Sequence, residues 1–179
     1  MPLEPSTRQR LFRQRLCEGD SAGGRNELPP QVHLVGASGA GMTALSQIMI
    51  DFGWALSGSD LSVSDNDVAP SMPASKPGRI LKIHQGHDST HLPMTTDLVV
   101  FSPAIPTDNP ELIAARQLKI PTASYVVFLS ELLSQSTGIC IAGTHGKTTT
   151  SAMAASILRE AGLVSSAVIG GEVIQYGRS

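Results

Sequence analysis

Short apolar runs along the chain alternate with stretches in which apolar residues recur at helical spacing. The run at residues 32–35 ends at Gly36 and predicts a buried strand followed by a glycine-rich turn. A helix is predicted after this turn, and Gly53 fits its C-cap. A second strand at residues 54–57 then runs on to Asp60. These segments predict a βαβ unit with a right-handed crossover. The apolar residues on one face of its helix are Met42, Leu45, Ile48, Met49 and Phe52.

The same alternation continues to residue 133. It predicts strands at residues 80–83, 98–101 and 121–124, and helices at residues 110–118 and 125–133. Asn109 suits an N-cap, because Pro110 then takes the first helical position and Glu111 lies in the first turn. Strands that alternate with helices predict an α/β fold with a mostly parallel sheet covered on both faces.

A new strand, loop and helix follow a polar stretch at residues 134–138. A strand is predicted at residues 139–142, then a helix that ends near Gly162, and a last strand at residues 166–169. This β-α-β piece looks like the opening of a second domain. We therefore divide the chain into a flexible leader with a short helix near residues 7–16, a main domain and the start of a further domain. Their bounds are 1–30, 31–136 and 137–179.

Composition and charge narrow the class of protein. The 179 residues allow one full domain and at most a fragment of another. The net charge of -2, without a long run of one sign, argues against a nucleic-acid or membrane-surface partner. No apolar stretch has the length of a membrane span or the form of a signal peptide. Cys17 and Cys140 are too few for a disulfide framework and suit the cytoplasm.

The first loop, residues 36–42, is a candidate diphosphate site. Its glycines let backbone N–H groups approach a phosphate, and the helix that starts near Gly41 presents its positive end. The match to G-x-G-x-x-G is imperfect, because Ser38 stands at the middle glycine. Asp60 ends the next strand about 20 residues on, where a carboxylate accepts from ribose hydroxyls. The structural alternatives are a tight turn in the loop and a capping role for Asp60.

The second loop, residues 143–150, carries the strongest chemical signal in the chain. Lys147 follows a glycine at a predicted helix start, which places an ammonium beside the β- and γ-phosphates of ATP. The next hydroxyl, that of Thr148, is of the kind that ligates Mg²⁺. The motif is a shortened variant of G-x-x-x-x-G-K-[ST], because Ile141 stands at the first glycine and Gly143 follows later. A chance glycine-lysine turn is the alternative.

Two histidines have less specific settings. His87 follows the strand at residues 80–83, so it lies either at the ligand-binding edge of the sheet or in a solvated loop. His33 lies inside an apolar strand and is predicted to be a packed core imidazole. Neither pairs with a Ser or Cys nucleophile.

The two loops and the sequence between them resemble the Mur ligases over residues 31–175. In that family a Rossmann-like N-terminal domain binds a UDP-sugar, and a central P-loop domain binds ATP and Mg²⁺. The resemblance therefore implies a Rossmann-like sheet domain followed by the first β-α-β piece of a P-loop ATP-binding domain. The motifs that carry it, in chain order, are Val32-His33-Leu34-Val35-Gly36, Gly39-Ala40-Gly41-Met42, Ser57-Gly58-Ser59-Asp60, Gly86-His87, Ser102-Pro103-Ala104-Ile105, Asn109-Pro110-Glu111, Ala142-Gly143-Thr144-His145-Gly146-Lys147-Thr148-Thr149-Thr150 and Val168-Ile169-Gly170-Gly171.

The resemblance also implies the residues of two sites and the substrates. Lys147 and Thr148 would be catalytic, with Thr148 as the Mg²⁺ ligand. The substrates would be UDP-N-acetylmuramate and L-alanine, joined through an acyl phosphate in peptidoglycan precursor synthesis. The implied UDP-sugar site comprises Gly36, Ser38, Gly39, Gly41, Met42, Asp60, His87, Ser102 and Ala104. The implied ATP site comprises Gly143, Thr144, His145, Gly146, Lys147, Thr148 and Thr149.

Three departures from the family pattern affect these expectations. Ser38 replaces a glycine, so that its Cβ would crowd a backbone approach while its hydroxyl would offer an added hydrogen bond. The prolines of residues 64–77 exclude the helix that is usual there. The family's later metal-binding carboxylates and its C-terminal domain are missing from the 179 residues. We therefore expect the front of a ligase without complete turnover, or one piece of a split enzyme whose C-terminal part is on another chain.

Two other functions remain open from the sequence. A sugar-nucleotide-binding module without catalysis makes the same prediction for the first loop. An NAD-dependent dehydrogenase accounts for the first loop and Asp60 but not for the second loop.

Overall fold

A five-stranded parallel sheet forms the centre of the fold. The computed structural model describes residues 3–12, 29–62, 79–135, 137–163 and 167–169. The strands lie in the order β3-β2-β1-β4-β5, and every neighbouring pair is parallel. The predicted α/β fold with a parallel sheet is therefore confirmed. The strands are β1 (Gln31–Val35), β2 (Ala55–Asp60), β3 (Arg79–Gln85), β4 (Leu98–Phe101) and β5 (Thr122–Ser124).

Helices begin and end close to the positions that the sequence predicts. The Asn109 side chain accepts hydrogen bonds from the N–H groups of Glu111 and Leu112, and Pro110 occupies the first turn of α3. Gly53, with φ of +86°, follows the end of α2. No helix in the described part of the chain is long and apolar enough to cross a membrane. The helices are α1 (Pro5–Phe12), α2 (Ala40–Asp51), α3 (Pro110–Gln117), α4 (Tyr125–Ser134) and α5 (Lys147–Glu160).

Two apolar clusters pack against opposite faces of the sheet. Successive side chains of a strand point to opposite faces, and accordingly Leu34 belongs to the larger cluster and Val35 to the smaller. α2 and α4 cover the larger cluster, whereas α3 covers the smaller one. In the larger cluster Trp54 meets Phe128 edge to face, with ring centroids 5.9 Å apart. Both faces of the sheet are therefore covered, as predicted.

The N-terminal segment is not a loose leader where it is described. Leu3, just before α1, and Leu11, near its end, are both buried in the larger cluster. Residues 3–12 therefore dock on the main domain, because two leucines find apolar partners there. The helix that was expected near residues 7–16 forms at Pro5–Phe12, and residues 13–28 lie outside the described residues.

The β-α-β piece predicted after residue 136 is only partly formed. Its helix is α5, but residues 139–142 and 167–169 are not paired as strands. A strand exists through hydrogen bonds to a neighbour, and beyond α4 the described residues contain no second strand to supply them. Both strand predictions are therefore wrong for these residues. The proline-rich segment at 64–77, predicted as an irregular loop, lies outside the described residues.

Candidate functional site

The carboxyl ends of the parallel strands bring four predicted site residues to one edge of the sheet. Gly36 follows β1, Asp60 ends β2, His87 follows β3 and Ser102 follows β4. β2 and β3 lie on one side of β1, and β4 and β5 lie on the other, so this edge contains the topological switch point. Doubly wound sheets bind ligands in the crevice outside that point.

The glycines of the first loop have different surroundings. Gly36 has φ of +80°, and an added Cβ would lie 3.0 Å from the Cβ of Ser102. An added Cβ at Gly41 would come within 3.2 Å of the Tyr125 ring. At Gly39 the nearest described atom would be 4.0 Å away, so packing within the described chain does not require glycine there. The space at Gly39 is therefore available to a ligand.

The start of α2 presents backbone N–H groups without a side-chain cap. Gly39 is the N-cap residue, and the first turn contains no acidic side chain. The Thr43 N–H donates to the Gly39 carbonyl at 2.8 Å and so begins the regular helical bonding. Met42 is buried in the core, so only its backbone is available to a ligand. Free N–H groups and the positive end of the helix dipole together favour an anion at this position.

Asp60 braces the first loop from the end of β2. Its Oδ2 accepts a hydrogen bond from the Ser38 N–H at 2.9 Å, and its Oδ1 accepts one from the Ser62 N–H at 2.8 Å. Burial of the carboxylate opposes ionisation, but these hydrogen bonds outweigh it and lower the pKa of Asp60. A carboxylate has about four acceptor positions. The side chain thus shapes the loop and keeps acceptor capacity for a ligand.

The turn after β4 closes the other side of the first loop. The Ser102 N–H donates to the Val35 carbonyl at 3.0 Å, and the Ser102 hydroxyl accepts from the Ala104 N–H at 3.4 Å. Ser102 is half-buried, whereas Ala104 and Ser38 are exposed. The first loop, the end of β2 and the turn after β4 therefore lie next to one another at the start of α2. The side chains of Ser38 and Ser102 both reach the surface there.

A buried polar cluster lies below this edge, and of its members only His87 was predicted as functional. The fully buried Glu111 carboxylate lies 3.2 Å from His33 Nε2, and it accepts hydrogen bonds from the Ser59 hydroxyl at 2.7 Å and the Asp88 N–H at 3.2 Å. Ser59 Oγ in turn lies 2.9 Å from Nδ1 of His87. The residues whose polar side-chain atoms contact the Glu111 carboxylate directly or through one neighbour form the Glu111 cluster, which consists of Glu111, His33, Ser57, Ser59, His87 and His91.

Hydrogen bonds keep the Glu111 carboxylate ionised despite its burial. Burial alone raises the pKa of Glu111, but hydrogen bonds from His33 and Ser59, together with the nearby imidazole and the Asp88 N–H, lower it below its ordinary value. His33 is a buried core imidazole, as predicted, and its Nδ1 lies 2.8 Å from Ser57 Oγ. A buried imidazole needs polar partners. The sequence therefore signals that His33 has a polar partner but does not identify Glu111 as that partner.

The second loop forms a glycine turn at the start of α5. Gly146 has φ of +77°, in the left-handed region that favours glycine, and it caps α5 without a side-chain hydrogen bond. The Lys147 ammonium donates to the carbonyls of Gly143 at 2.6 Å and Thr144 at 3.1 Å. The first turn of α5 contains no acidic side chain. A lysine charge and the positive end of a helix dipole therefore meet at one loop.

The oxygen donors of the second loop fit a magnesium ion that arrives with a nucleotide. Thr144, His145, Thr148 and Thr149 are all exposed. Mg²⁺ usually takes only one or two protein ligands and completes its shell with water and phosphate oxygens. No group of three His, Cys, Asp or Glu side chains suited to a metal occurs among the described residues. The threonine hydroxyls of this loop, that of Thr148 among them, are protein oxygens of the kind that such an ion takes.

Comparison with known families places the chain in one of them. The model of the Mur ligase family, catalytic domain, matches residues 31–137, more than half of the chain. The chain therefore belongs to the Mur ligase family. Family membership favours a ligase over the dehydrogenase alternative.

Individual relatives agree with this assignment. The UDP-N-acetylmuramate–L-alanine ligase of Methylobacillus flagellatus is 44% identical over 146 residues, which are 82% of this chain and 29% of the relative. The enzyme of the same name from Xanthomonas oryzae is 42% identical over 148 residues, 83% of this chain and 30% of the relative. The chain thus spans about three-tenths of the length of these relatives.

Solved structures of two ligases share the fold. The UDP-N-acetylmuramate-alanine ligase of Thermotoga maritima aligns with a TM-score of 0.60 and 27% identity, over 73% of this chain and 29% of that one. The UDP-N-acetylmuramate:L-alanyl-gamma-D-glutamyl-meso-diaminopimelate ligase of Neisseria meningitides aligns with a TM-score of 0.68 and 29% identity. That alignment covers 85% of this chain and 46% of the ligase.

Proposed function

We propose that the main domain binds UDP-N-acetylmuramate, with its diphosphate at the start of α2. The observation that carries this proposal is the uncapped helix start at Gly39, which lies at the switch point of the sheet and has open space where a side chain would be. Asp60, His87 and Ser102 surround the same edge and supply polar contacts to the nucleoside and phosphates. Both solved relatives carry UDP-N-acetylmuramate in their names.

The second loop is proposed as the ATP site. Lys147 exchanges the loop carbonyls for phosphate oxygens, and the α5 N-terminus donates N–H groups to them. Thr148 supplies one oxygen to the Mg²⁺ that accompanies ATP. Bound ATP and Mg²⁺ supply the phosphoryl group and its charge neutralisation, while the residues of this loop bind and orient it.

The parent reaction is proposed to join L-alanine to UDP-N-acetylmuramate. A carboxylate is a poor acylating agent until phosphorylation converts it to an acyl phosphate, from which an amine displaces phosphate. The first and second loops are proposed to bind the first substrate and ATP of this reaction. L-Alanine is proposed over a tripeptide because the relatives with 41–44% identity are L-alanine ligases. We expect no complete turnover from the 179 residues without the remainder of such a ligase.

Gly39→Asp tests the first site, because aspartate favours an N-cap and repels a diphosphate. Gly39 has φ of -61° and ψ of 141°, a conformation that aspartate adopts without strain. The variant is expected to be at least as stable as the wild type, yet to bind UDP-N-acetylmuramate at least tenfold more weakly, a loss of about 1.4 kcal/mol. Isothermal calorimetry measures the affinity. Unchanged affinity in a folded variant would refute the site.

Lys147→Ala provides the matched experiment at the second site. Its affinity for Mg-ATP is expected to fall, while its affinity for UDP-N-acetylmuramate stays unchanged, because the two loops precede different helices. Equal losses for both ligands would show that the sites are not independent. Alanine-dependent phosphate release by the wild-type chain above that of Lys147→Ala would contradict the expected lack of turnover. UDP-sugar binding without ATP binding would instead favour a non-catalytic binding module.

A further inference from the structure

The Glu111 cluster contains a relay of polar atoms that ends at the ligand edge of the sheet. Glu111 lies on α3, Ser59 on β2 and His87 just after β3, so three separate elements meet in it. Ser59 Oγ is 2.7 Å from Glu111 Oε2 and 2.9 Å from His87 Nδ1. Glu111 and Ser59 are fully buried, whereas the His87 side chain is 12% exposed. His87 is therefore the member of this relay that a ligand can reach.

The number of hydrogens in the relay determines the direction of each hydrogen bond. An ionised carboxylate can only accept, so the single hydrogen of the Ser59 hydroxyl is donated to Glu111. Ser59 Oγ can then only accept from His87. Nδ1 of His87 must therefore carry a hydrogen, and Nε2 of the neutral ring carries a lone pair.

Several groups hold Glu111 in the ionised form on which this direction depends. Oε2 lies 3.2 Å from His33 Nε2, and Oε1 accepts from the Asp88 N–H at 3.2 Å. Nδ1 of His91 lies 3.4 Å from Oε1 but makes no hydrogen bond there. Glu111 stands in the first turn of α3, where the helix dipole favours a negative charge.

We propose that Glu111 is a positioning residue that acts through Ser59 to hold His87 in its Nδ1–H tautomer. Nε2, the other ring nitrogen of this partly exposed side chain, is then a hydrogen-bond acceptor, the opposite of the Nε2–H tautomer that predominates in free histidine. In the proposed UDP-sugar site such an acceptor selects a donor of the ligand, a hydroxyl or an imide N–H, over an unprotonated phosphate oxygen. This ligand preference rests on the proposed function, whereas the tautomer does not.

Ser59 also ties the same relay to the first loop. Its backbone carbonyl accepts from the N–H groups of Gly36 at 2.9 Å and Ala37 at 3.1 Å, and its side chain contacts His87. One buried residue thus fixes the turn proposed for the diphosphate and the imidazole beside it. Loss of the Ser59 hydroxyl removes the hydrogen bonds to Glu111 and His87, whereas the backbone contacts to the first loop remain.

Long-range ¹H–¹⁵N correlation spectra of the full chain at neutral pH test the tautomer. The His87 signals, assigned by their absence in His87→Gln, are expected to show a protonated Nδ1 and an unprotonated Nε2. Ser59→Ala and Glu111→Gln are expected to move His87 toward the Nε2–H form. Ser57→Ala is the matched control, since Ser57 lies on the same strand and contacts His33 but not His87. It is expected to leave the His87 signals unchanged.

Either of two results would overturn the assignment of the His87 tautomer. One is a wild-type His87 in the Nε2–H form, which requires no variant and no ligand. The other is a tautomer that Ser59→Ala does not alter in a folded protein. A titration with UDP-N-acetylmuramate separates this from the proposed function: failure to bind refutes the proposed function alone. If the sugar nucleotide binds, an Nε2 signal shifted by a hydrogen bond from the ligand supports the acceptor role, and protonation of Nε2 on binding overturns it.

Discussion

Replacing Gly36 with alanine is expected to destabilise the fold, whereas the same replacement at Gly39 is expected to be mild. Both glycines belong to the first loop, but the structure gives them different surroundings. Gly36 has φ of +80°, and its added Cβ would lie 3.0 Å from the Cβ of Ser102 and 3.2 Å from Cδ1 of Ile105. Gly39 has φ of -61° and open space at its Cβ position. The pair therefore separates a structural glycine from one available for ligand approach.

The expected magnitudes follow from these contacts. A left-handed conformation costs a residue with a Cβ about 1–2 kcal/mol, and overpacking a filled site costs about 1–3 kcal/mol. Alanine recovers about 0.4–1 kcal/mol because it restricts the unfolded chain. Gly36→Ala should thus lower the free energy of unfolding by roughly 1–5 kcal/mol. Gly39→Ala replaces a tolerated N-cap residue with a poor one and should cost below about 1 kcal/mol.

Urea denaturation followed by tryptophan fluorescence measures both effects. Trp54 is the only tryptophan and is buried in the larger cluster, so its emission reports unfolding of the main domain. Calorimetry on the folded variants adds the affinity for UDP-N-acetylmuramate. Equal stability of Gly36→Ala and wild type would refute the packing argument. A loss at Gly39→Ala as large as that at Gly36→Ala would refute the distinction between them.

Three further substitutions test the core, the loop brace and the buried carboxylate. Phe128→Ala should cost about 3–5 kcal/mol in urea denaturation, because Phe128 is fully buried against Trp54; a loss below 1 kcal/mol would contradict that packing. Asp60→Ala releases two backbone donors and should cost about 1–3 kcal/mol while weakening calorimetric binding of the UDP-sugar; unchanged affinity would remove its assignment. The lowered pKa of Glu111 adds stability above the unfolded value of about 4.3, and that stability is lost as the pH falls through the folded pKa. Glu111→Gln should therefore show a flatter acid branch in pH-dependent urea midpoints, and an unchanged slope would argue against the shift.

The sequence predicts most elements of the main domain because their signals are local. Asn109 and Pro110 mark the start of α3, and Gly53 marks the end of α2, through capping geometry that involves neighbouring residues. Glu111 has the local pattern of an exposed acid in a first helical turn. Its burial depends on His33 and Ser59, which are 78 and 52 residues away in sequence. Local patterns do not encode such contacts.

Distant contacts also explain why the predictions of a flexible leader at residues 3–12 and of strands after residue 136 were wrong. Leu3 and Leu11 give too weak a local pattern to show that they join the core, since their partners come from the sheet domain. Residues 139–142 have the composition of a strand, yet pairing depends on a neighbour that the described residues do not provide. The composition of a segment indicates how well it suits a strand, but whether the strand forms depends on a neighbouring strand to which it can hydrogen-bond.

The first loop is positioned by surrounding residues before its proposed ligand binds, whereas the second loop is not. This difference predicts which of the two proposed ligands, UDP-N-acetylmuramate or Mg-ATP, binds more tightly. The first loop is held by Asp60, Ser59 and the Tyr125 ring, so its donors are positioned before a ligand arrives. In the second loop, residues 143–150 are exposed, and Lys147 is bonded to the carbonyls that a phosphate must replace. ATP must therefore break two existing hydrogen bonds, whereas the UDP-sugar meets a prepared site. Because preorganisation lowers the cost of binding, this chain is expected to bind UDP-N-acetylmuramate more tightly than Mg-ATP in calorimetric titrations, and the reverse order would refute the argument.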